Sequence, residues 1–267
     1  MTSTDLIAPG PPAWPGCALG AWAAAWSAGR CGPDDVTDTL GDFADRHVVD
    51  GDALPPDLAE HSRLGLLALV RRGRRLAVRL PTAGDPQGLP PGPATAAALD
   101  AGEILLIDDH AGNMTVGLVP TLVGDVCHWG VHRYEQPVEM TTAESLAQLE
   151  YDLREAIRET AEIIGGLGGS DLWVRPAALR ATLATLTARH QVDLPPHDDA
   201  RATRVIDSAA RVEAIVTMAG AHVPTFGVTA GHVETGDAGL RRLATLARNA
   251  RAAAVNRVIG EHLPTGP

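Results

Sequence analysis

Apolar residues change their spacing along this chain. Before Met140 they fall mostly in short runs or at every second position, and beyond it they recur at every third or fourth. The first pattern predicts strands and the second predicts helices. The early region opens with helices all the same. An Ala/Trp helix is expected over 18–27, with Trp22 and Trp26 four apart on one face and an end near Gly29. Pro33 opens a second helix, expected to run to His47, whose buried stripe is Val36, Leu40, Phe43 and His47. Asp35, Asp38, Asp42 and Asp45 line its other side.

Two apolar runs, 66–70 and 76–80, flank Arg71, Arg72, Gly73, Arg74 and Arg75 and read as a hairpin with a basic tip. Five prolines and three glycines then crowd into 81–93, a rigid loop longer than a minimal connector. After a short Ala-rich helix over 94–101, three β-type runs follow at 103–108, 115–123 and 126–134. Together these runs predict a mainly antiparallel sheet of about five strands.

In the second region Thr141 and Glu144 suggest a capping box. Leu146, Leu149, Leu153, Ile157, Thr160 and Ile164 trace a long helix that stops at Gly165 and Gly166. Pro176 begins another, carrying Leu179, Leu183 and Leu186, and 191–197 is a proline-containing linker. Asp198 or Asp199 caps a third, with Val205, Ala209, Val212, Val216 and Ala219 on its stripe. The last is expected over 237–261, with Leu240, Leu243, Ala247, Ala250, Ala254 and Val258 on one side. Narrow Ala-rich stripes at near-heptad spacing suit a four-helix bundle or a dimer seam. The expected fold class is therefore α+β: an extended arm over 1–16, an α+β region over 17–139 and a helical region over 140–267.

Composition narrows what such a fold does. All 22 basic residues are arginine, so Schiff-base chemistry and a phosphate-binding P-loop lysine are excluded. The richness in Ala, Arg, Gly and Pro with no lysine suits a GC-rich bacterial genome. A formal net charge of -11 argues against nucleic-acid binding and against an anionic membrane surface. No early segment has the charge and length of an export signal or a membrane span. Three cysteines with no C-x-x-C pair read as reduced thiols, and the expected location is cytoplasmic.

No named catalytic motif occurs, and nothing in the sequence calls for a cofactor or a metal. Asp108, Asp109 and His110 end an apolar run, where a carboxylate and an imidazole share a proton or hold an ion, although the same residues are ordinary turn formers. His128 and His132 sit too far apart along a strand for one ion, about 13 Å. With Tyr134 they share a sheet face that would line a pocket beneath the proline loop. Arg71, Arg72, Arg74 and Arg75 suit an anion or a partner's carboxylates, or else a solvated tip. The acidic stretch from Asp34 reads as a solvated face or as a dock for a basic partner.

Two function classes follow. The first is a non-catalytic interaction or regulatory protein, self-associating through its helical half as a homodimer or binding a protein partner. The alternative is an enzyme, such as a metal-assisted hydrolase, with a site around Asp108, Asp109, His110 and His128. A deep pocket holding those side chains favours the enzyme, and a flat polar surface beside an exposed apolar helix face favours the binding module.

Overall fold

A computed structural model describes residues 12–51, 63–109, 114–141, 144–166, 176–221 and 230–263. Most of the expected N-terminal arm, residues 1–11, lies outside them, and Pro15 and Gly16 already belong to the first helix. The elements run α1 (Pro15–Ser27), α2 (Pro33–Gly41), β1 (Arg46–Asp50), α3 (Arg63–Arg72), β2 (Gly73–Arg79), α4 (Pro93–Ala101), β3 (Ile104–Asp109), β4 (Met114–Val123) and β5 (Val126–Tyr134). Four helices follow: α5 (Leu146–Gly166), α6 (Pro176–His190), α7 (Ala200–Ala221) and α8 (Ala230–His262). The chain is α+β.

The five strands form one sheet in the order β1-β5-β4-β3-β2. Three of its pairings are antiparallel, but β1 lies parallel to β5, so the sheet is mixed. That strand corrects the expected second helix, which ends at Gly41 instead of running to His47. The stripe survives the change: Val36, Leu40, Phe43 and His47 are all buried. His47 becomes a strand residue, accepting the Trp129 indole N–H on Nδ1 at 3.0 Å while Nε2 lies 2.9 Å from the Leu40 carbonyl oxygen. With Nδ1 accepting, the proton sits on Nε2 and is donated to Leu40.

The expected hairpin over 66–80 is likewise corrected. Residues 66–70 belong to α3, and only the second run is a strand. Five consecutive apolar residues are as compatible with a buried helix as with a strand. The crossover through α3 carries the chain from β1, at one edge of the sheet, to β2 at the other.

Alternate strand residues build two layers. Leu76, Val78, Leu105, Ile107, Leu118, Cys127, Trp129 and Val131 face the main core, shared with α1, α7 and α8. Ala77, Ile104, Leu106, Val119 and Tyr134 face a smaller core under α4 and the proline loop. The centre of the molecule is α1. Nearly all its residues from Pro15 to Ala25 are buried, because it lies between the sheet and α8, and a helix covered on several sides needs apolar residues all round. Small residues permit the approach: a Cβ on Gly20 would stand 3.0 to 3.3 Å from Leu105, Ile259 and Val78. The Ala-rich stripes of α7 and α8 are thus used inside the chain, as a bundle, with Ala209, Ala247, Ala250 and Ala254 fully buried. Asp199 caps α7, accepting the N–H groups of Arg201 and Ala202 at 3.0 Å each.

The outer edge of β2 is closed by side-chain amides. Asn256 of α8 accepts from Val78 N–H at 2.7 Å and donates to the Val78 carbonyl at 3.0 Å. Gln87 from the proline loop does the same for Leu80, at 2.8 and 3.0 Å. Each amide stands in for one residue of a missing strand, which blunts an edge open to pairing.

Candidate functional site

The predicted site residues do not form one site. Asp108 pairs with Arg75 across β2 and β3 at 2.8 Å and sits level with Thr115 and Tyr134 in the sheet register. His128 is six residues from Tyr134 along β5, about 20 Å away, at the opposite end. Asp109 ends β3, and His110 lies outside the described residues. A site joining Asp108 to His128 is therefore ruled out by register. The four arginines are not a hairpin tip: Arg71 and Arg72 close α3, with the Arg71 guanidinium 5.0 Å over the Trp26 ring, while Arg74 and Arg75 open β2. His128, His132 and Tyr134 do share a sheet face. His132 and Tyr134 line a cleft of about 530 Å³ with Pro90, Pro91 and Pro93 of the proline loop.

His128 and His132 also line a larger cleft, about 690 Å³, at the end of the sheet where it meets the helical half. One wall carries His128, Thr121 and Asp50 from three neighbouring strands, with His128 Nδ1 3.6 Å from Asp50 Oδ2. The other carries Trp14, Arg189, His190 and Arg248, and Glu103 lies at its base.

Six segments far apart in sequence converge there. Glu103 enters β3 and is only 5 % exposed. Its Oε2 accepts the Gly16 N–H at 2.9 Å, at the start of α1. Gly16 is required for this approach, since a Cβ there would stand 2.7 Å from that oxygen. Burial pushes the Glu103 carboxyl up to about 8, against the pull of the Gly16 and Cys17 N–H groups and of Arg248 and Arg251. It therefore holds its proton at neutral pH.

Behind it, Arg251 is fully buried, forming an ion pair with Glu213 and donating to the His190 carbonyl at 2.9 Å. Burial raises the Glu213 carboxyl while Arg251 and Arg248 pull it back. Arg248 donates to the Gly102 carbonyl at 2.9 Å, and its Nε lies 3.9 Å from Glu213 Oε1. Both guanidiniums stack over Trp14, each carbon 4.8 Å from the ring centroid. Trp14 itself adopts φ 74°, ψ 46°, left-handed backbone that a bulky residue rarely holds. Burial, helped by Arg251, Arg189 and Arg248, lowers His190 to about 4, so its imidazole is neutral.

This arrangement has a neutral carboxylic acid, a neutral imidazole and a guanidinium around one open volume, a set suited to binding a small molecule and moving a proton. No group of three or more metal-ligating residues occurs among the described residues. No described helix is long and apolar enough to cross a membrane.

Residues 16–144 match the N-terminal domain of the Rv1486c-like proteins and residues 147–252 match their C-terminal domain. The chain is also 31 % identical to the uncharacterized protein Rv1486c of Mycobacterium tuberculosis, over 94 % of this chain and 99 % of that one.

The chain belongs to the Rv1486c-like family.

Two other relatives are the uncharacterized protein ML1804 of Mycobacterium leprae, 29 % identical over 94 % of this chain and 99 % of its own, and MAV321 of Mycobacterium avium, 28 % identical over 76 % and 78 %. No solved structure matches. In this Rv1486c-like chain the cleft draws Glu103 from the region matching the N-terminal domain and His190 and Arg248 from the region matching the C-terminal one, with Trp14 just ahead of the first matched residue.

Sequence reasoning missed these residues for a physical reason. Glu103 is a single acid before an apolar run, and Glu213, Arg248 and Arg251 sit among alanines on helices whose outer faces are also rich in charge. One signal was available. Trp14 between Ala13 and Pro15 places a large ring at a helix entry, where it is fixed and not a free arm.

Proposed function

We propose that this chain is an enzyme acting on a small molecule held in the cleft between sheet and helical half, with Glu103 as its general acid. The carrying observation is a buried carboxyl that keeps its proton at neutral pH at the base of an open cleft. Glu103 donates that proton to oxygen or nitrogen of the bound molecule as negative charge develops there, and solvent returns it. Across the cleft, His128 beside Asp50 supplies a second proton-handling group.

The Ala-rich stripes, one of the supports for an interaction module, are covered within the chain. The large apolar side chains most exposed among the described residues, Leu99, Val123, Tyr151 and Ile215, are spread over four elements. A cytoplasmic setting fits three free cysteines, two of them buried.

The test is a metabolite library screened against the full chain by NMR, following the Trp14 indole signal assigned with Trp14→Phe. Compounds that move it are then assayed for turnover with wild type and Glu103→Gln. Binding retained with turnover lost in Glu103→Gln is the expected result. A library that never moves Trp14 overturns the reading.

A further inference from the structure

We infer that the cleft takes its ligand by an anionic group, a carboxylate or a phosphate, seated on the guanidinium of Arg248. This rests on the reading above in placing the ligand in that cleft, and it names the chemistry recognised there. The two guanidiniums of the cluster are not equivalent. Arg251 is sealed in, with the Glu213 carboxylate and the His190 carbonyl as partners. Arg248 lines the cleft with its side chain one-quarter exposed, and its hydrogen bond goes to a neutral carbonyl, that of Gly102. Its Nε is 3.9 Å from Glu213, beyond hydrogen-bond reach. Among the described residues no carboxylate is hydrogen-bonded to it.

A guanidinium held 4.8 Å over the Trp14 ring carries the planar fork that matches carboxylate and phosphate oxygens. Arg189 lines the same cleft and adds a second positive charge, while Asp50 stands beside His128 and Asp100 lies two residues from the Gly102 that Arg248 bonds. The two arginines draw a negative group to their end of the cleft.

Glu103 then becomes a built-in competitor. Protonated, it leaves Arg248 to Glu213, whose carboxylate lies 3.9 Å from Nε and is shared with Arg251, and ionised, it adds the negative charge the ligand would bring. The ionisable groups facing it are Cys17 on α1, Cys127 on β5 and Arg248 and Arg251 on α8, with Glu213 on α7 and His190 on α6 behind them. Burial holds both thiols well above neutrality and His190 well below it. Glu103, its carboxyl held up to about 8, changes charge between pH 7 and 9. Anion affinity should fall over that range.

The experiment titrates the full chain with inorganic phosphate, acetate and neutral acetamide, reading the Trp14 indole signal. Acetate, whose charge is constant, is repeated at pH 7 and 9. We expect phosphate or acetate to shift the signal saturably and acetamide not to, with the stronger anion identifying the preferred group. Arg248→Gln should abolish the effect, and exposed Arg189→Gln, which leaves the buried cluster intact, should weaken it severalfold. Acetate should bind about tenfold more weakly at pH 9, where about one chain in eleven keeps the Glu103 proton. Glu103→Gln should make affinity independent of pH. Acetamide binding as well as acetate, undiminished binding in both arginine variants, or a pH dependence that persists in Glu103→Gln overturns the inference. If no anion binds but a neutral compound moves Trp14, the anion site falls and the cleft stands. If nothing moves Trp14, both fall.

Discussion

Replacing Glu103 by Gln should stabilise the protein, and increasingly so as pH rises. In the unfolded chain this carboxyl ionises near 4.5, whereas in the fold burial holds the proton until about 8. Between those values the native state binds a proton that the unfolded state has released, so raising the pH favours unfolding. Below the lower value both states are protonated and the penalty vanishes, and above the upper one it is complete. From 4.5 to about 8, at about 1.4 kcal/mol per pH unit, the full penalty is about 5 kcal/mol. Gln is a neutral isostere that still accepts the Gly16 N–H and never ionises. Urea denaturation of both proteins at pH 5, 6.5 and 8 isolates the effect, because every other titration is common to the pair and cancels. The stability difference should grow by about 3 to 4 kcal/mol from pH 5 to pH 8 in favour of Glu103→Gln. Curves that stay parallel within ~1 kcal/mol would mean that the carboxyl is ionised in the fold, and the general-acid role would fall with it.

Gly16→Ala pushes a methyl to within 2.7 Å of Glu103 Oε2 and should destabilise by about 1 to 3 kcal/mol, measured in the same denaturation assay; an unchanged midpoint would refute the close approach. Asn256→Ala removes both hydrogen bonds to Val78 and should cost about 2 kcal/mol, with faster hydrogen exchange at the Val78 amide as the specific readout. His190→Gln should flatten the loss of stability that wild type shows on acidification below pH 6.5, since its folded pKa of about 4 makes the unfolded chain the stronger proton binder there; identical acid limbs would show that the imidazole is charged in the fold. Because α1 packs on both the sheet and α8, tryptophan fluorescence and far-UV dichroism should report one coincident unfolding transition, and two separated transitions would mean that the halves fold apart.

The elements most readable from sequence were those with one buried face. β4 and β5 alternate over nine or ten residues, and α5 and α7 carry continuous stripes, so each appears within a few residues of its place. Errors fell where local pattern is ambiguous or tertiary contacts decide. At 36, 40, 43 and 47 the helical spacing is real and all four side chains are buried, yet Gly41 ends the helix and the last two positions reach the core by another path. At 66–70 five apolar residues in a row fit either element, and burial of Leu66, Leu67, Leu69 and Val70 resolved them as helix. β1, five residues long and paired parallel to a strand some eighty positions later, carries almost no local signal. The cleft was least readable, because its members are isolated residues from separate segments whose meeting depends on how the halves pack.

Buried charge by itself marks nothing, and the fold contains a comparison that shows what does. Arg79 on β2 is as buried as Glu103, yet it donates to the carbonyls of Val78, Glu139 and Thr141 at 3.0, 2.6 and 3.2 Å. It ties a strand to the segment leading into α5 and borders no open volume of the main cleft, which is what a structural clamp requires. At the cleft the accounting differs. A carboxyl is kept neutral by desolvation, an imidazole is kept neutral by burial together with neighbouring arginines, and a tryptophan is held in left-handed backbone. Each of these destabilises the fold: apolar replacements would remove the first two penalties, and glycine the third. Three such penalties gathered around one accessible volume, while buried Arg79 is held by three carbonyls, are what a site under selection for chemistry produces and packing alone does not.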